Sequence, residues 1–392
     1  MSVYLVAPLR TPIGRYGGGL SSLSAADLGV HAAQAVLERT GVEPRTVTEA
    51  IIGCARQAGG GPNVARQISF RAGLGETVPA MTLNMACGSG LKAIDLAFRA
   101  VRDGDAQAVL AGGTESMSGV PYLLTSARWG SKMGAQEVTD GMYKDGFACP
   151  IAEMLMGETA ERLAGIHSIT RDEQDAFALR SQHRAAVAQR EGRFVSQIVA
   201  VEVRQGKSSA VIDQDEHPRA DSTIEGLRKL APVFKTEGGT VTAGNSSGIT
   251  DGAAAVLVSS ESGLKALKAP PLVRILGVAA AGVDPKIMGI GVVPATRLLL
   301  ERLKMKLDDF GLIEANEAFA AQVLACDREL RFDPERLNVN GGSIALGHPI
   351  GCTGTRIVVT LVHEMARTKT RYGLATLCIS GGMGLAAAFE LV

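Results

Sequence analysis

The stretch Met81–Gly113, MTLNMACGSGLKAIDLAFRAVRDGDAQAVLAGG, decides the fold of this chain. It opens with a short strand pattern over residues 81–84 and continues with a helical pattern of apolar residues from Leu91 to Val101. It closes with a buried strand pattern over residues 108–113. A strand, a helix and a second strand in this order predict a βαβ unit. We therefore expect a mainly parallel sheet that is covered by helices.

The sequence before this unit continues the same alternation. Strands are predicted over Val3–Ala7 and Ala50–Gly53, each close to residues that are typical of turns. Between these strands, Ser24 is typical of a helix N-cap, and the amphipathic pattern after it runs to about Glu38, with Gly41 beyond its end. The chain is thus predicted to be an α/β protein.

Length and composition exclude several classes of protein. A chain of 392 residues exceeds a single ordinary core of about 150 residues, so we expect two or three packed units. Lys and Arg together number 40, and so do Asp and Glu, which leaves no global charge to hold nucleic acid or an anionic membrane. No apolar run reaches the roughly 18 residues of a membrane span, and the N-terminus is unlike a signal peptide.

The six cysteines are spread over the chain without a CxxC pair, which argues against a disulfide scaffold and against a structural zinc site. We therefore predict no metal and a soluble protein of a reducing compartment, placed in the cytoplasm. Cys54, Cys149 and Cys326 are interpreted as packing thiols, and Cys352 as lining a site without a catalytic role. The histidines apart from His348 are predicted to lie on the surface: His31, His167, His183, His217 and His363.

Residues from about 118 to 242 differ in character from the rest of the chain. They are richer in charge, hold the only tryptophan, and contain a long helical pattern from Thr170 to about Arg190. A weak internal repeat flanks them, because Cys87-Gly88-Ser89-Gly90 and Cys352-Thr353-Gly354-Thr355 are each followed by an apolar helix and a strand that ends in Gly-Gly. We predict two similar halves, residues 1–118 with about 243–268, and residues 269–392. Residues 119–242 form an inserted subdomain.

Cys87 is the first candidate for chemistry. It lies between a predicted strand and a predicted helix, so its sulfur is expected at the helix N-terminus. Free N–H groups and the helix dipole stabilise an anion there, which lowers the pKa of a thiol and makes it a nucleophile. A packed turn with a small buried thiol is the alternative for this segment taken alone.

Three further segments carry candidate groups. His348 lies on a loop rich in Gly and Pro, which suits a base or a donor to an oxyanion. Cys378 ends a buried strand before a glycine turn whose N–H groups are candidates for an oxyanion hole. Asn316 precedes an apolar run and by itself is typical of an ordinary helix start. Together, two thiols, a loop histidine and an amide predict a thiol-dependent acyl transfer.

The order of these motifs resembles the thiolases, the family of acetyl-CoA acetyltransferases and 3-ketoacyl-CoA thiolases, over essentially the whole chain. The segments that carry the resemblance are Arg10-Thr11-Pro12-Ile13-Gly14, Asn84-Met85-Ala86-Cys87-Gly88-Ser89-Gly90, Gly112-Gly113-Thr114-Glu115-Ser116-Met117, Ala243-Gly244-Asn245-Ser246-Ser247-Gly248, Asn316-Glu317-Ala318-Phe319, Gly347-His348-Pro349-Ile350-Gly351 and the turn after Cys378. The resemblance implies two similar βαβ halves in a five-layered α/β/α/β/α fold, with an inserted loop subdomain that contacts CoA. It also implies a homodimer or homotetramer.

The resemblance further implies a role for each site residue. Cys87 matches the nucleophile that takes the acyl group, His348 the residue that activates it, and Cys378 the acid or base at the α-carbon of acetyl-CoA. Asn316 matches the residue that holds a water in the first oxyanion hole, to which His348 also contributes. The N–H groups of Cys87 and of the turn at Ser380 match the second oxyanion hole. The remaining matches are contacts to CoA or the acyl chain: Arg219, Ser247, Ala243, Met156 and Phe319.

Two positions depart from the pattern of the family. Ser380 stands where the family usually has glycine, and a positive φ there would cost about 1 kcal/mol or more. Leu155, directly before Met156-Gly157, stands where short-chain enzymes of the family often have histidine. The change removes a polar contact from the acyl region and leaves open a preference for longer acyl chains.

The reaction implied by the resemblance is the reversible Claisen condensation of acetyl-CoA with an acyl-CoA, through an acyl-cysteine intermediate. This is the activity of an acetyl-CoA C-acetyltransferase of lipid metabolism, with CoA and acetyl-CoA as substrates and no permanently bound cofactor. Three alternatives stay open: a degradative 3-ketoacyl-CoA thiolase of β-oxidation, a decarboxylating condensing enzyme, and a thiolase-like protein that binds acyl-CoA without turnover. The pair of cysteines argues against the second, and the intact set of four site residues against the third.

Overall fold

A computed structural model of the chain describes residues 1–130, 132–206 and 208–392. Its strands are β1 (Val3–Arg10), β2 (Gly14–Arg15), β3 (Glu49–Gly53), β4 (Ala80–Leu83), β5 (Ala108–Ser116), β6 (Tyr122–Leu123), β7 (Thr139–Asp140), β8 (Ala148–Cys149), β9 (Met154–Leu155), β10 (Val201–Gln205), β11 (Ser208–Ile212), β12 (Thr250–Ser260), β13 (Pro271–Gly282), β14 (Leu312–Ala315), β15 (Tyr372–Ile379) and β16 (Met383–Leu391). Its helices are α1 (Ala25–Thr40), α2 (Val64–Ser69), α3 (Ser89–Asp103), α4 (Met156–Ile166), α5 (Arg171–Arg190), α6 (Ile224–Arg228), α7 (Glu261–Leu264), α8 (Val292–Leu303), α9 (Ala320–Leu330), α10 (Ser343–Leu346) and α11 (Ile350–Thr368).

The main sheet contains the same arrangement twice. Its order is β4-β3-β5-β12-β1-β13-β16-β15-β14. In the first half β3 is parallel to β4 and β5, while β12 and β1 follow antiparallel. In the second half β14 is parallel to β15, while β16 and β13 follow antiparallel. The halves join where β1 pairs antiparallel with β13. The sheet is therefore mixed, and the prediction of a mainly parallel sheet is wrong.

Two central helices lie between the halves. Helix α3 leads into β5 and helix α11 leads into β15, and the two helices pack on each other. Their apolar faces share one core with inward residues of both halves of the sheet, for example Ile94, Val109, Ile357 and Leu377. Helices α1 and α2 cover the outer face of the first half, and α8 and α9 cover that of the second. This is the predicted five-layered α/β/α/β/α arrangement.

The helix boundaries follow from local signals in the sequence. The hydroxyl of Ser24 accepts a hydrogen bond from the Asp27 backbone N–H at 3.1 Å, and the Asp27 carboxylate accepts from the Ser24 N–H at 3.0 Å. This reciprocal capping box begins α1, and Gly41, with φ of 59°, ends it in the left-handed conformation. Helix α5 likewise begins after Thr170, as its pattern predicts.

The halves differ in the connection between their last two strands. In the second half only Ser380–Gly382 join β15 to β16, whereas in the first half residues 117–249 lie between β5 and β12. This insertion is fastened by a buried ion pair in which Arg10 donates to both carboxylate oxygens of Asp215, at 2.6 and 2.9 Å. Because a bidentate guanidinium–carboxylate pair fixes both distance and direction, it holds the insertion in one position against β1.

Candidate active site

Cys87 lies in a tight turn between β4 and α3. Ala86 adopts a positive φ of 45°, and the Ser89 hydroxyl closes the turn by accepting from the Met85 N–H at 2.8 Å and donating to the Ala86 carbonyl at 2.7 Å. A Cβ atom at Gly90 would lie 2.7 Å from the backbone nitrogen of Thr355, so only glycine lets α3 begin this close to α11. The turn leaves the Cys87 sulfur half-buried in the wall of a cavity.

His348 is placed to accept the proton of Cys87. Its Nε2 lies 3.3 Å from the Cys87 sulfur, and its Nδ1 lies 2.6 Å from the hydroxyl of Thr353. That hydroxyl donates to the Pro349 carbonyl at 3.0 Å, so it must accept the proton of Nδ1. Nε2 therefore carries the free lone pair, facing the thiol.

Burial sets the protonation states of both groups. It lowers the pKa of His348 to about 3, helped by the charges of Arg356 and Arg56, so the imidazole is neutral near pH 7. Burial also raises the pKa of the Cys87 thiol, against the opposing effects of Arg56 and of the N–H groups of Ser380 and Cys87. The expectation of a lowered thiol pKa is therefore wrong for the protein without substrate, because loss of water outweighs the helix N-terminus.

Cys378 lies at the end of β15 and lines the same cavity. Its side chain is fully buried, and burial, together with the nearby Cys87 and Cys326 sulfurs, raises its pKa well above the ordinary value. Near neutral pH it therefore holds its proton. A group of this kind can give a proton to a leaving thiolate and then act as a strong base.

Ser380 carries no backbone strain. The positive φ values of this turn fall on Gly381 and Gly382, both at 85°, and not on Ser380. The cost considered for a serine at this position therefore does not arise. The backbone N–H of Ser380 faces the Cys87 sulfur, where it favours negative charge.

Asn316 is fully buried and is not among the residues that line the cavity, but one of its donors is without a partner among the described residues. Its Oδ1 accepts from the Ser343 hydroxyl at 2.6 Å, and that hydroxyl in turn accepts from Nη2 of Arg356 at 2.8 Å. Because the Ser343 proton is committed to Asn316, the amide must present its nitrogen to the other side. Nδ2 of Asn316 is buried and has no partner among the described residues. It is available to a water or a substrate oxygen.

The cavity has a volume of about 390 Å³ and joins the two halves to the insertion. Each of the predicted CoA and acyl contacts lines it: Met156, Arg219, Ala243, Ser247 and Phe319. Phe319 meets Phe234 edge to face, with ring centroids 6.1 Å apart. Leu155 also lines the cavity, so the departure from histidine falls inside the site. Cys352 does not line it but is buried in the central core, which corrects its predicted position.

Three residues near the cavity were not predicted. His217 is half-buried rather than on the surface, lines the cavity, and donates through Nδ1 to the Ala345 carbonyl at 2.8 Å. Glu115, at the end of β5, accepts from the N–H groups of Ala55, Arg56 and Gly351 at 3.1, 2.9 and 2.8 Å. Arg56 follows β3 and lines the cavity. The signal for Arg56 was its place after a strand parallel to β4, the strand that precedes Cys87.

Within residues 1–130, 132–206 and 208–392, no group of three or more His, Cys, Asp or Glu side chains is arranged to hold a metal ion. In that same part of the chain, no helix combines the length and the apolar character that crossing a membrane requires.

Comparison with known proteins gives consistent matches over the whole chain. Residues 3–262 match the family model for the thiolase N-terminal domain, and residues 269–391 match that for the thiolase C-terminal domain. An acetyl-CoA acetyltransferase of Chromobacterium violaceum is 51% identical over 100% of both chains, and one of Pseudomonas aeruginosa is 51% identical over 98% of both. Two crystal structures are also similar. The Bacillus anthracis acetyl-CoA acetyltransferase has a TM-score of 0.97 at 44% identity, and human mitochondrial 3-ketoacyl-CoA thiolase has 0.96 at 42%; each match covers 100% of this chain and 99% of the other.

Proposed function

Since the chain belongs to the thiolase family of acyltransferases, we propose that it is an acetyl-CoA C-acetyltransferase, which makes or breaks a carbon–carbon bond by reversible Claisen condensation. The observation that carries this proposal is the contact of the Cys87 sulfur with Nε2 of His348 at 3.3 Å, in one cavity with Cys378. A nucleophile, its base and a second thiol in one site are what covalent acyl transfer followed by carbon–carbon bond formation requires.

The first step forms the acyl-enzyme. As the Cys87 sulfur attacks the carbonyl carbon of acetyl-CoA, its proton passes to Nε2 of His348. The bond between that carbon and the CoA sulfur breaks, and the leaving thiolate takes the proton of Cys378. The raised pKa of Cys378 supports this order, because the group arrives protonated and leaves the step as a strong base.

The second step forms the new bond. The Cys378 thiolate removes an α-proton from a second acetyl-CoA, and the resulting carbanion attacks the acetyl group on Cys87. The carbon–sulfur bond to Cys87 breaks, and this sulfur recovers its proton from His348. Cleavage runs through the same steps in reverse: Cys87 attacks the 3-keto carbon, the carbanion that leaves takes a proton from Cys378, and free CoA then takes the acyl group from Cys87.

Oxyanions form on the thioester oxygens in both steps and need donors in a dry site. We assign the first oxyanion hole to His348 and to a water held by Nδ2 of Asn316, whose free buried donor supports the role. We assign the second to the N–H groups of Cys87 and Ser380, since both favour negative charge on the Cys87 sulfur. The neutral ring of His348 can donate only after it has taken the proton of Cys87, so its two roles follow in order.

CoA is proposed to enter between the halves and the insertion. Ser247, Ala243, Met156 and Phe319 form the walls for its pantetheine arm and the acyl group, and exposed Arg219 is placed to meet its phosphates. In this assignment residues 119–242 are the CoA-contacting subdomain. CoA and acetyl-CoA are substrates, and no permanently bound cofactor takes part in the steps above.

The test combines trapping of the intermediate with turnover. Incubation with acetyl-CoA should add one acetyl group to Cys87 by mass spectrometry, and thiolysis of acetoacetyl-CoA by free CoA should be rapid. Cys87→Ala should lose both signals, whereas Cys378→Ala should keep the acetyl-enzyme and lose formation of the carbon–carbon bond. If the wild-type protein takes up no acetyl group and cleaves no 3-ketoacyl-CoA, the protein is a non-catalytic acyl-CoA binder and the proposal fails.

One observation favours a second candidate, a degradative 3-ketoacyl-CoA thiolase of β-oxidation. Leu155 gives the cavity an apolar wall where a histidine would give a polar one. Thiolysis rates measured with 3-ketoacyl-CoA esters of four to sixteen carbons separate the two candidates. Activity confined to the four-carbon ester supports the acetyltransferase, and activity that rises with chain length supports the degradative enzyme.

The cellular setting is part of the proposal. We propose a protein of lipid metabolism that acts in the cytoplasm as a homodimer or homotetramer. Six free cysteines suit a reducing compartment. Light scattering on the purified protein distinguishes a dimer, a tetramer and a monomer.

A further inference from the structure

Arg56 places a positive charge in the wall of the catalytic cavity that the reaction above does not use. Its side chain lines the cavity together with Cys87, Tyr143 and Phe147. Its Nε is buried without a hydrogen-bond partner, and among the described residues no carboxylate forms an ion pair with the guanidinium. The side chain is half-buried, and a buried N–H without an acceptor is costly, so Nε points to a ligand that accepts a hydrogen bond there.

The fold makes room for this guanidinium. A Cβ atom at Gly146 would lie 2.1 Å from Nη2 of Arg56, so the side chain packs directly on the backbone of the turn that carries Tyr143 and Phe147. Glu115, an acid near this side chain, is occupied otherwise, because its carboxylate accepts backbone N–H groups of Ala55, Arg56 and Gly351. It anchors the Arg56 backbone and accepts no hydrogen bond from the guanidinium, although the nearby Arg56 charge opposes the rise that burial causes in the pKa of Glu115.

Arg56 and Arg219 belong to different ends of the cavity. Arg219 is exposed and also lines a neighbouring surface depression with Arg15 and Asp221, which places it at the mouth. Arg56 lies with the reacting groups, since its charge acts on the pKa values of Cys87 and His348 in addition to burial. The phosphates of CoA can explain a cation at the mouth. At the inner end, the part of the substrate that remains is the acyl chain.

We propose that Arg56 binds a carboxylate at the far end of the acyl chain, so that the preferred substrates are CoA esters of 3-oxo dicarboxylic acids. The inference rests on the proposed function, because the acyl chain reaches this cavity as a CoA thioester. A guanidinium forms strong, charge-assisted hydrogen bonds with a carboxylate. The methylene groups between thioester and carboxylate would pack on Leu155 and Phe147. A neutral alkyl chain would leave the buried Nε–H of Arg56 without an acceptor.

The test compares matched substrates and matched variants. Thiolysis is measured with 3-oxoacyl-CoA esters of six, eight and ten carbons, each with a methyl end and with a carboxylate end. At one of these lengths, kcat/KM of the wild-type protein should be at least about tenfold higher for the carboxylate ester. Arg56→Met, similar in size and uncharged, should abolish or reverse this ratio, whereas Arg56→Lys should retain part of it.

Two outcomes would overturn the proposal. The first is that the wild-type protein shows no preference for the carboxylate ester at any length. The second is that Arg56→Met lowers kcat/KM equally for both esters, which would mean that Arg56 acts on Cys87 and not on substrate. Thermal unfolding checks that the variants fold, and the wild-type ratio decides if they do not. If no ester is turned over, the proposed function fails. Binding of unreactive thioether analogues with either chain end then decides the role of Arg56 separately.

Discussion

The two halves of the molecule have the same strand order, but they differ in the connections that leave β5 and β15. Each half places the start of a central helix at the cavity, with Cys87 before α3 and His348 before α11. After β15 the chain turns back through Ser380–Gly382, whereas after β5 it continues through residues 117–249 before it returns as β12. The short connection supplies a backbone donor, the N–H of Ser380, at the Cys87 sulfur. The long one supplies side chains of the cavity wall, among them Leu155 and Arg219.

This comparison shows how two similar halves of one protein can take different roles. Equivalent positions in the two halves keep Cys87 and His348 close together, because the central helices pack on each other. A connection between the ends of two strands can lengthen without disturbing that core, since loops tolerate insertion far better than packed strands do. In the proposed mechanism the reacting groups come from both halves, while many of the proposed substrate contacts come from the insertion in one.

The largest expected effect tests whether the second half contributes chemistry as well as packing. His348→Gln should lower kcat for thiolysis by about a thousandfold, because it removes the acceptor of the Cys87 proton. Thr353→Val, which removes only the hydroxyl that orients the ring, should cost about tenfold to a hundredfold. Steady-state kinetics measure both changes. A His348→Gln variant with most of its activity left would show that α11 serves the site through packing alone.

The next effect tests how tightly the short connection is built. Gly381 and Gly382 share a φ of 85°, but a Cβ atom at Gly382 would lie 2.3 Å from the Val283 carbonyl oxygen, whereas at Gly381 it would meet open space. Gly381→Ala should therefore cost only the left-handed conformation, about 1 kcal/mol of unfolding free energy. Gly382→Ala should cost about 3 kcal/mol, because backbone atoms must also move.

Chemical denaturation gives both values for the turn. Gly238→Ala in the insertion, with φ of 65° and open space around the added atom, is a control that should behave like Gly381→Ala. If Gly382→Ala costs no more unfolding free energy than Gly381→Ala and the control, the turn is as tolerant of an added side chain as the long connection.

The third effect is a dependence of stability on pH that arises at His348. Burial and the charges of Arg356 and Arg56 lower the pKa of folded His348 to about 3, whereas an unfolded histidine has about 6.5. The unfolded chain therefore binds the proton more readily. Stability is lost as the pH falls from about 6.5 towards 3, and above 6.5 this group has no effect.

Replacing the histidine isolates its contribution to that pH dependence. His348→Gln should reduce the drop in unfolding free energy between pH 7 and pH 5 by up to about 2 kcal/mol. His183→Gln, at an exposed position in α5, is the control and should leave the drop unchanged. Urea titrations at the two pH values measure both. Identical drops in the wild-type protein and in His348→Gln would contradict the neutral buried ring.

The smallest effect concerns the orientation of Asn316. Ser343→Ala removes the hydroxyl between Arg356 and Asn316, so the amide loses its fixed orientation. We expect kcat to fall by about three- to tenfold with KM little changed, which corresponds to one hydrogen bond of about 1 kcal/mol. Ser343→Thr keeps the hydroxyl and is expected to retain more activity. A larger effect on KM than on kcat would place this contact in substrate binding instead.

The sequence predicted the elements of the site better than their surroundings. Ser24 and Gly41 mark the ends of α1 because capping is a local property, and Cys87, His348 and Cys378 were found because each lies beside glycines at the end of a strand or the start of a helix. Strand direction was not predictable in the same way. Strands β12 and β5 are buried along their whole length, so neither shows the alternation that distinguishes an antiparallel strand.

Charge and burial inside the site were the least predictable properties. The helix N-terminus at Cys87 suggested a lowered thiol pKa, but loss of water reverses the direction, and nothing in the local sequence reports how much water a folded cavity admits. His217 and Arg56 were missed for a related reason. Each lies in a polar segment that is typical of a surface. His217 lines the cavity because it contacts Ala345, and Arg56 lines it because it packs against Gly146, and both contacts join residues far apart in the chain.

The pairing of β1 with both β12 and β13 has a consequence for how the chain acquires its structure during synthesis. Strand β1 has both of its neighbours in residues 250–282, far later in the chain. Val3–Arg10, an apolar segment, therefore stays unpaired until those residues have been made. The sheet cannot close from its N-terminal end. Its completion depends on residues 250–282. A nascent chain released before these residues are made would expose apolar side chains and unpaired strand edges, which are the features that chaperones bind.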